Sequence, residues 1–434
     1  MQATIELLTQ IWSGTVPADQ VSDAYFKRRR YAGSSDRRDV VARLYRIIRA
    51  RARLDWWIDR TGGNLQPAAR TRVIADLALN DKMSPARAGE LFSGSRHCPS
   101  VLTPAERQLT DHLYGRPLTH RDMPRPVAGE YPDWMDRSLS ALWGDRLAEE
   151  ISALNQIAPL DLRVNTLKTT REQAQEVLER EQVVCLPTPL SPVGLRLPDK
   201  PRLGGTQAFK QGLVEVQDEG SQLLALLCDV RPGMQVVDFC AGAGGKTLAL
   251  AANMSDRQRL DGRLVACDIS GVRLGRIHAR LRRAAANGVE TQVLAAANDP
   301  WIARNPDRWD RVLCDAPCTG TGAWRRDPDA KWRFSPTGLD EIRETQRSVL
   351  RQSATLVKPG GRLIYATCSL LQEENEQQLA WFLDQTDQFR ALAIDRIWAE
   401  TIGGPPPPGG PCLRLSPAST GTDGFFITIL ERRG

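Results

Sequence analysis

The chain reads as an α/β protein with a doubly wound, Rossmann-like parallel sheet, preceded by a small α+β domain and an N-terminal helical domain. Three observations predict this. From about residue 229, short apolar runs alternate with helical stretches, the rhythm of βαβ units. The first run ends in a glycine-rich turn, Asp238 to Thr247, and the second ends about one βαβ step later in Asp268. Ahead of them, residues 1–127 carry a helical stripe and 128–225 a β-α-β pattern, leaving 226–434 for the main sheet.

Composition sets the class. The 434 residues are 41% hydrophobic and 25% charged, the balance of a soluble globular protein large enough for two or three domains. No apolar run reaches the ~18 residues of a membrane span. Glu6 interrupts the first apolar residues, so the start lacks a signal-peptide pattern. Nine Cys with no C-x-x-C pair argue for reduced thiols in a cytoplasmic protein and against a Cys-rich zinc site. Four His argue against a His-based metal centre, and no metal is expected.

In the first segment, Val41, Leu44, Tyr45 and Ile48 keep the spacing of an amphipathic helix, and Leu54, Trp56, Trp57 and Ile58 continue its core. Lys27 to Arg53 holds eleven Lys/Arg against Asp36 and Asp39, and eleven minus two leaves +9. A solvated helix face explains a basic helix in general. This surplus exceeds what solubility requires and favours phosphate contacts, with Arg28, Arg29 and Arg30 as candidates. Pro99 to Pro126 reads as a connection. In the second segment, Leu162 to Asn165 and Val193 to Leu197 read as strands, and Thr169-Thr170-Arg171-Glu172 opens a helix with a hydroxyl cap. Arg163 and Asn165 on a strand suit either a nucleic-acid platform or a small packing domain.

The main sheet is expected from strands at 235–237, 263–267, 292–294, 311–314, 362–366 and 425–430, with helices at 272–286 and 339–356. The first strand runs into Cys240-Ala241-Gly242-Ala243-Gly244-Gly245-Lys246-Thr247. Small residues let a ligand approach the backbone, and the next helix offers free N–H groups. A phosphate loop is excluded because Cys240 stands where its first Gly belongs, and an NAD fingerprint because Thr247 replaces its third Gly. Asp268 is placed to bind ribose hydroxyls. A glycine-rich turn and a ribose acid without a pyrophosphate fingerprint point to an adenosine ligand such as S-adenosyl-L-methionine.

Two further strand ends carry thiols. Asp315-Ala316-Pro317-Cys318 follows the fourth strand and Thr367-Cys368-Ser369 the fifth. In a parallel sheet both reach the same carboxyl edge. Two Cys just past strand ends beside a cofactor pocket favour chemistry over packing. Their separate roles are not assigned by position.

These stretches, with Leu162 to Lys168, Val216 to Ser221, Arg325 to Asp329, Lys331-Trp332 and Asp423 to Phe426, resemble the bacterial ribosomal RNA small-subunit methyltransferase B group of the RNA 5-methylcytosine methyltransferase family. The likeness covers about 155–434. Residues 1–127 resemble the group's NusB-like RNA-binding domain more loosely, and 128–225 its small RNA-binding insert. The resemblance implies a class I methyltransferase fold, S-adenosyl-L-methionine as cofactor, and methylation of cytosine C5 in RNA, most naturally 16S ribosomal RNA, by a protein working as a monomer. It implies Cys368 as the nucleophile on cytosine C6, Cys318 as the aid to release, and Asp315 on the base edge and at the cofactor. Lys246 is expected near the base or cofactor, and Arg325, Arg326, Lys331 and Trp332 on flanking phosphates and bases. The chain departs from the family at Ala243, usually Pro, at Thr319, often Ser, and at Ala296-Ala297-Asn298-Asp299, usually Gly-Asp. There Asn298 or Asp299 stands for the acid near the adenine. Rival readings are a tRNA cytosine-C5 enzyme and a non-catalytic RNA-binding or assembly factor. A DNA-type enzyme, which attacks with its Pro-Cys thiol, has no use for Thr367-Cys368-Ser369.

Overall fold

The computed structural model describes residues 1–29, 33–61, 65–199, 201–256, 259–295, 299–408 and 410–434. The chain groups into two units, Met1–Gln156 with Trp324–Ser335, and Ile157–Ala323 with Pro336–Gly434.

The first unit is helical. Helices Gln2–Ser13, Ser34–Arg49, Arg51–Asp59 and Ala69–Leu79 share a core containing Leu7, Leu8, Leu44, Ile47, Ile48, Trp57, Ile58 and Ile74. Val41 and Tyr45 of the expected stripe are only half-buried, because Ile47 takes the inward place beside Ile48. The expected break at 127/128 is not where packing divides the chain. Glu130 is buried and accepts the backbone N–H of Ala52 at 2.9 Å and of Arg53 at 3.0 Å. Asn155 donates to the Gly129 carbonyl at 2.8 Å. These bonds keep the helices of 125–155 with the N-terminal helices. The second unit therefore holds both sheets.

Its small sheet has β1 (Leu160–Val164), β2 (Leu186–Pro187), β3 (Gly194–Leu197) and β4 (Val214–Val216), all antiparallel in the order β2-β3-β1-β4. Its helix Arg171–Arg180 opens with a capping box between Thr170 and Gln173. The large sheet is built from β5 (Gln235–Asp238), then, after the short ribbon of β6 (Ser255–Asp256) and β7 (Arg259–Leu260), β8 (Arg263–Asp268), β9 (Glu290–Val293), β10 (Trp309–Asp315), β11 (Val357–Thr367), β12 (Phe389–Ala391), β13 (Leu413–Leu415) and β14 (Phe425–Arg432). Its order is β12-β14-β11-β10-β5-β8-β9, with β13 also against β14. The strands from β9 to β11 are parallel, and β14 is antiparallel to β11.

Alternation along the strands covers both faces, as a parallel sheet requires. Val236, Leu264, Ala266, Leu313, Ile364, Ile427 and Ile429 enter one core, and Val237, Val265, Cys267, Val312, Cys314, Leu363, Tyr365 and Phe426 the other. The expected helix over 272–286 is two pieces, Gly271–Gly275 and Ile277–Ala284, broken next to Gly275, a residue that weakens helix interiors. The helix expected at 339–356 begins at Pro336, whose fixed φ suits a first turn.

The strand order sets the site. From β5 the chain moves outward to β8 and β9, then returns to β10 on the other side of β5. The reversal opens a crevice at the carboxyl ends of β5 and β10, where doubly wound sheets bind ligands. No helix among the described residues is long and apolar enough to cross a membrane.

Candidate active site

β5 delivers Asp238 to the crevice, and the turn after it is shaped by glycine. Gly242 and Gly244 have φ of 57° and 81°, the left-handed region that glycine adopts without a Cβ clash. A Cβ on Gly244 would lie 2.2 Å from Cγ1 of Ile277. The turn is braced from outside. Arg280 donates to the Ala243 carbonyl at 2.6 Å and buried Arg163 to the Gly245 carbonyl at 2.8 Å. Arg163 is thus no nucleic-acid platform. Its strand faces the large sheet, and burial pushes its guanidinium down to about 10 against the nearby Glu215 carboxylate. Arg280 and Arg283 both pair with Glu215 of β4, at 3.3 and 2.6 Å. Asn165 points the same way, donating to the carbonyls of Gly212 and Ala284 at 2.8 Å each.

β8 ends in Asp268, which is 4% exposed. Its carboxylate accepts the N–H of Gly242 at 2.8 Å and of Ser270 at 2.7 Å, and Arg273 at 3.0 Å. Ile269, Val272 and Val293 stand beside it, 68%, 76% and 50% exposed, an apolar surface next to a fixed acid. Asn298 lies outside the described residues. The Asp299 carboxylate accepts the N–H of Ala295 at 2.6 Å and of Trp301 at 2.7 Å as a helix cap. Cys240 and Ala241 line the turn. A hydrogen bond with Cys314, together with burial, pushes the Cys240 thiol well above its ordinary range.

Lys246 opens the helix after the turn and meets Asp315 of β10 at 2.5 Å. Burial works against its ammonium, but Asp315, Asp238 and Cys368 outweigh it and hold the lysine protonated above its ordinary range. The lysine ammonium is therefore the donor to the Asp315 carboxylate. Just past Asp315 and past β11, the two thiols meet: Sγ of Cys318 and Sγ of Cys368 are 3.4 Å apart, both half-buried. Hydrogen bonding to Cys368, burial, and the charges of Cys368, Glu374 and Asp315 push Cys318 well above its ordinary range.

The residues expected on RNA fall in the first unit. Arg28 is exposed, Arg29 pairs with Glu6 at 3.3 Å and lies 3.7 Å over the Tyr25 ring, and Arg30 lies outside the described residues. Arg325 is buried, and its carbonyl accepts from Arg49 at 2.8 Å. Arg326 is half-buried. Lys331 is 1% exposed, its amine on Asn155, and burial drives it down to about 7 despite Glu130 nearby. It is corrected here from a phosphate contact to an interior anchor, because a side chain so enclosed cannot reach a phosphate. Trp332 packs under Arg51, 5.1 Å from its ring centroid.

Sequence reasoning missed Asp238, Arg163, Arg280 and Glu374 as site residues. Asp238 was visible at a strand end. The others act on partners far along the chain, and Glu374 left only the trace of an acid shortly after Cys368.

The family model described as 16S rRNA methyltransferase RsmB/F matches residues 225–431, and the ferredoxin-like domain of the RsmF/B-like methyltransferases matches 131–202. The chain is similar to ribosomal RNA small subunit methyltransferase B of Sodalis glossinidius, with 34% identity over 78% of this chain and 70% of that protein. It is 29% identical to the probable ribosomal RNA small subunit methyltransferase B of Synechocystis sp., over 92% of this chain and 91% of that one. Among solved structures, PH0851 superposes with a TM-score of 0.79 and 27% identity, covering 99% of this chain and 98% of its own. A methyltransferase homologue from Pyrococcus horikoshii gives 0.59 and 28%, covering 71% and 97%. The glycine turn, the fixed acid at Asp268 and the open apolar surface beside it suit the adenosine part of S-adenosylmethionine. The chain belongs to the 16S rRNA methyltransferase RsmB/F family and is an S-adenosylmethionine-dependent methyltransferase with a Rossmann-like fold.

Proposed function

We propose that the chain methylates carbon 5 of a cytosine in small-subunit ribosomal RNA through a covalent bond from Cys368 to the base. The observation that carries this is the thiol pair, 3.4 Å apart at the mouth of the crevice and next to the Lys246–Asp315 pair. The RNA class follows the names of the relatives.

The cofactor, held along Cys240 to Lys246 and at Asp268, supplies an electrophilic methyl group. Cytosine C5 is a weak nucleophile. Addition of the Cys368 thiolate to C6 places an enamine at C5, which can take the methyl group. The Lys246 ammonium, steadied by Asp315, stabilises charge developing on the base. The C5 proton then leaves to a base, its bonding pair re-forms the C5–C6 double bond, and Cys368 departs as thiolate. Cys318 is held as a thiol beside the departing sulfur and can donate its hydrogen to it. The division of roles, Cys368 as nucleophile and Cys318 as aid to release, follows the resemblance to the RNA 5-methylcytosine methyltransferase family. The target must be single-stranded or flipped, because the thiol approaches the ring face.

The test compares single variants with a ribosomal RNA fragment and S-adenosylmethionine. Cys318→Ala should accumulate a protein–RNA adduct on a denaturing gel. Cys368→Ala should form neither adduct nor methylated RNA. An inverted pattern would exchange the roles, and full methylation by both variants would refute the thiol mechanism. Bisulfite sequencing of the product identifies the carbon.

A further inference from the structure

Resting on the thiol chemistry above, we infer that Glu374 is a positioning residue that clamps the Cys318 loop to the Cys368 loop and so sets the relation between the two sulfurs. Glu374 sits in the turn Gln372–Glu374 after β11 and is 0% exposed. Its carboxylate accepts the backbone N–H of Thr319 at 2.8 Å, the Thr319 hydroxyl, the Ser369 hydroxyl, and Nε2 of Gln346 at 3.0 Å. Thr319 directly follows Cys318 and Ser369 directly follows Cys368. One carboxylate therefore holds the neighbour of each thiol.

The clamp is tied down on its far sides. Gln346 also donates to the Pro317 carbonyl at 2.9 Å, so the residue before Cys318 hangs on the same network. The Tyr365 hydroxyl donates to the Glu374 carbonyl at 2.7 Å. Asn375 donates to the Ser369 carbonyl at 2.9 Å and accepts from Thr367 at 2.6 Å. The N–H of Gly322 meets the Cys368 carbonyl at 2.9 Å, which joins the loops a second time.

Burying a carboxylate is costly, and a packing role alone is served better by an apolar side chain. Four donors converging on two oxygens give a geometry that no neutral side chain reproduces. Glutamine keeps the shape but offers one acceptor oxygen, and its amide confronts two hydroxyls that now donate. Loss of the clamp lets the thiols drift. A shift of about 1 Å in a reacting group costs roughly 100-fold in rate.

Glu374→Gln and Glu374→Ala in the full chain test this with two readouts. The first needs no RNA. Diamide removes two electrons and two protons from a thiol pair, joining the sulfurs and becoming the hydrazine. The rate of the Cys318–Cys368 cross-link, read by peptide mass spectrometry, reports how the sulfurs face each other. We expect about tenfold slower cross-linking in both variants. The second is steady-state methylation, where kcat should fall about 10- to 100-fold while KM for RNA and the S-adenosylmethionine Kd stay within about twofold. Wild-type cross-linking in Glu374→Gln overturns the clamp, as does a cross-linking loss that cofactor affinity follows in parallel, or an unaltered protein that does not cross-link. Because the first readout is independent of the base, it also separates the fates of the two ideas. Slowed cross-linking without any RNA adduct would leave the clamp and remove the thiol mechanism. Normal cross-linking with normal adducts would do the reverse.

Discussion

Asp238 shows how much one buried carboxylate matters to this site. It is fully enclosed, its Oδ2 accepts from Thr247 at 2.6 Å, and its Oδ1 has no hydrogen-bond partner among the described residues. Burial raises it to about 6, against the help of Thr247 and Lys246. The sign follows from linkage. The folded chain binds this proton more tightly than the unfolded chain, so the stability the protonated form contributes is fully present below about 3.8 and is lost as pH rises through about 6. Asp238→Asn should therefore stabilise the protein at pH 7.5 by roughly 3 kcal/mol at most, with the gain fading as pH falls towards 4. Urea unfolding at the two pH values checks it. A gain that persists at low pH would mean that ionisation is not its source. At Asp268 the prediction concerns binding. Asp268→Ala removes a carboxylate acceptor and should weaken S-adenosylmethionine by about 1.5–3 kcal/mol by calorimetry.

At the scale of elements, the small sheet braces the glycine-rich turn. Arg163 on β1 crosses to the Gly245 carbonyl, and Glu215 on β4 holds Arg280, which reaches the Ala243 carbonyl. A strand of one sheet thus fixes the turn of the other. Arg163→Met takes the guanidinium donor from the part-buried Gly245 carbonyl, a loss of about 1–3 kcal/mol. The expected result is a cofactor Kd raised about tenfold or more, with RNA adduct formation by a Cys318→Ala background retained at saturating S-adenosylmethionine. Unchanged cofactor affinity would show that the turn holds its shape without the brace. The thiol loops depend on a different element contact. Gly322 and Gly424 touch backbone to backbone, and a Cβ on Gly322 would lie 2.2 Å from the Gly424 carbonyl oxygen.

Across the whole molecule, the basic run in the first unit divides into two populations. Arg43 and Arg46 pair with Asp76 and Asp81, Arg49 holds the Arg325 carbonyl, and Arg53 holds Glu130. These charges are used in folding, so the surplus of +9 over Lys27 to Arg53 overstates what an RNA meets. Arg28 and Arg38 are exposed. Replacing both with Ala should flatten the salt dependence of RNA binding by about 0.7 per lost phosphate contact and leave thermal stability unchanged. Arg46→Ala should do the opposite, lowering stability because Asp76 is 0% exposed and loses a partner. Filter binding at several salt concentrations, beside thermal unfolding, distinguishes the two.

The sequence by itself determined the parts whose physics is local. A strand ending in small residues, a carboxylate or a thiol is a short-range pattern, and parallel pairing brings such ends to one edge. Cys240 to Lys246, Asp268, Asp315, Cys318 and Cys368 were legible for that reason. Tertiary structure alone decided which charges turn inward. Arg163 finds Gly245 across 82 residues, and Glu374 finds Thr319 across 55. Lys331, written in a basic stretch that looks exposed, ends 1% exposed on Asn155, 176 residues away. A charge is buried only when partners from distant segments offset its desolvation, and no local pattern records where those partners will be.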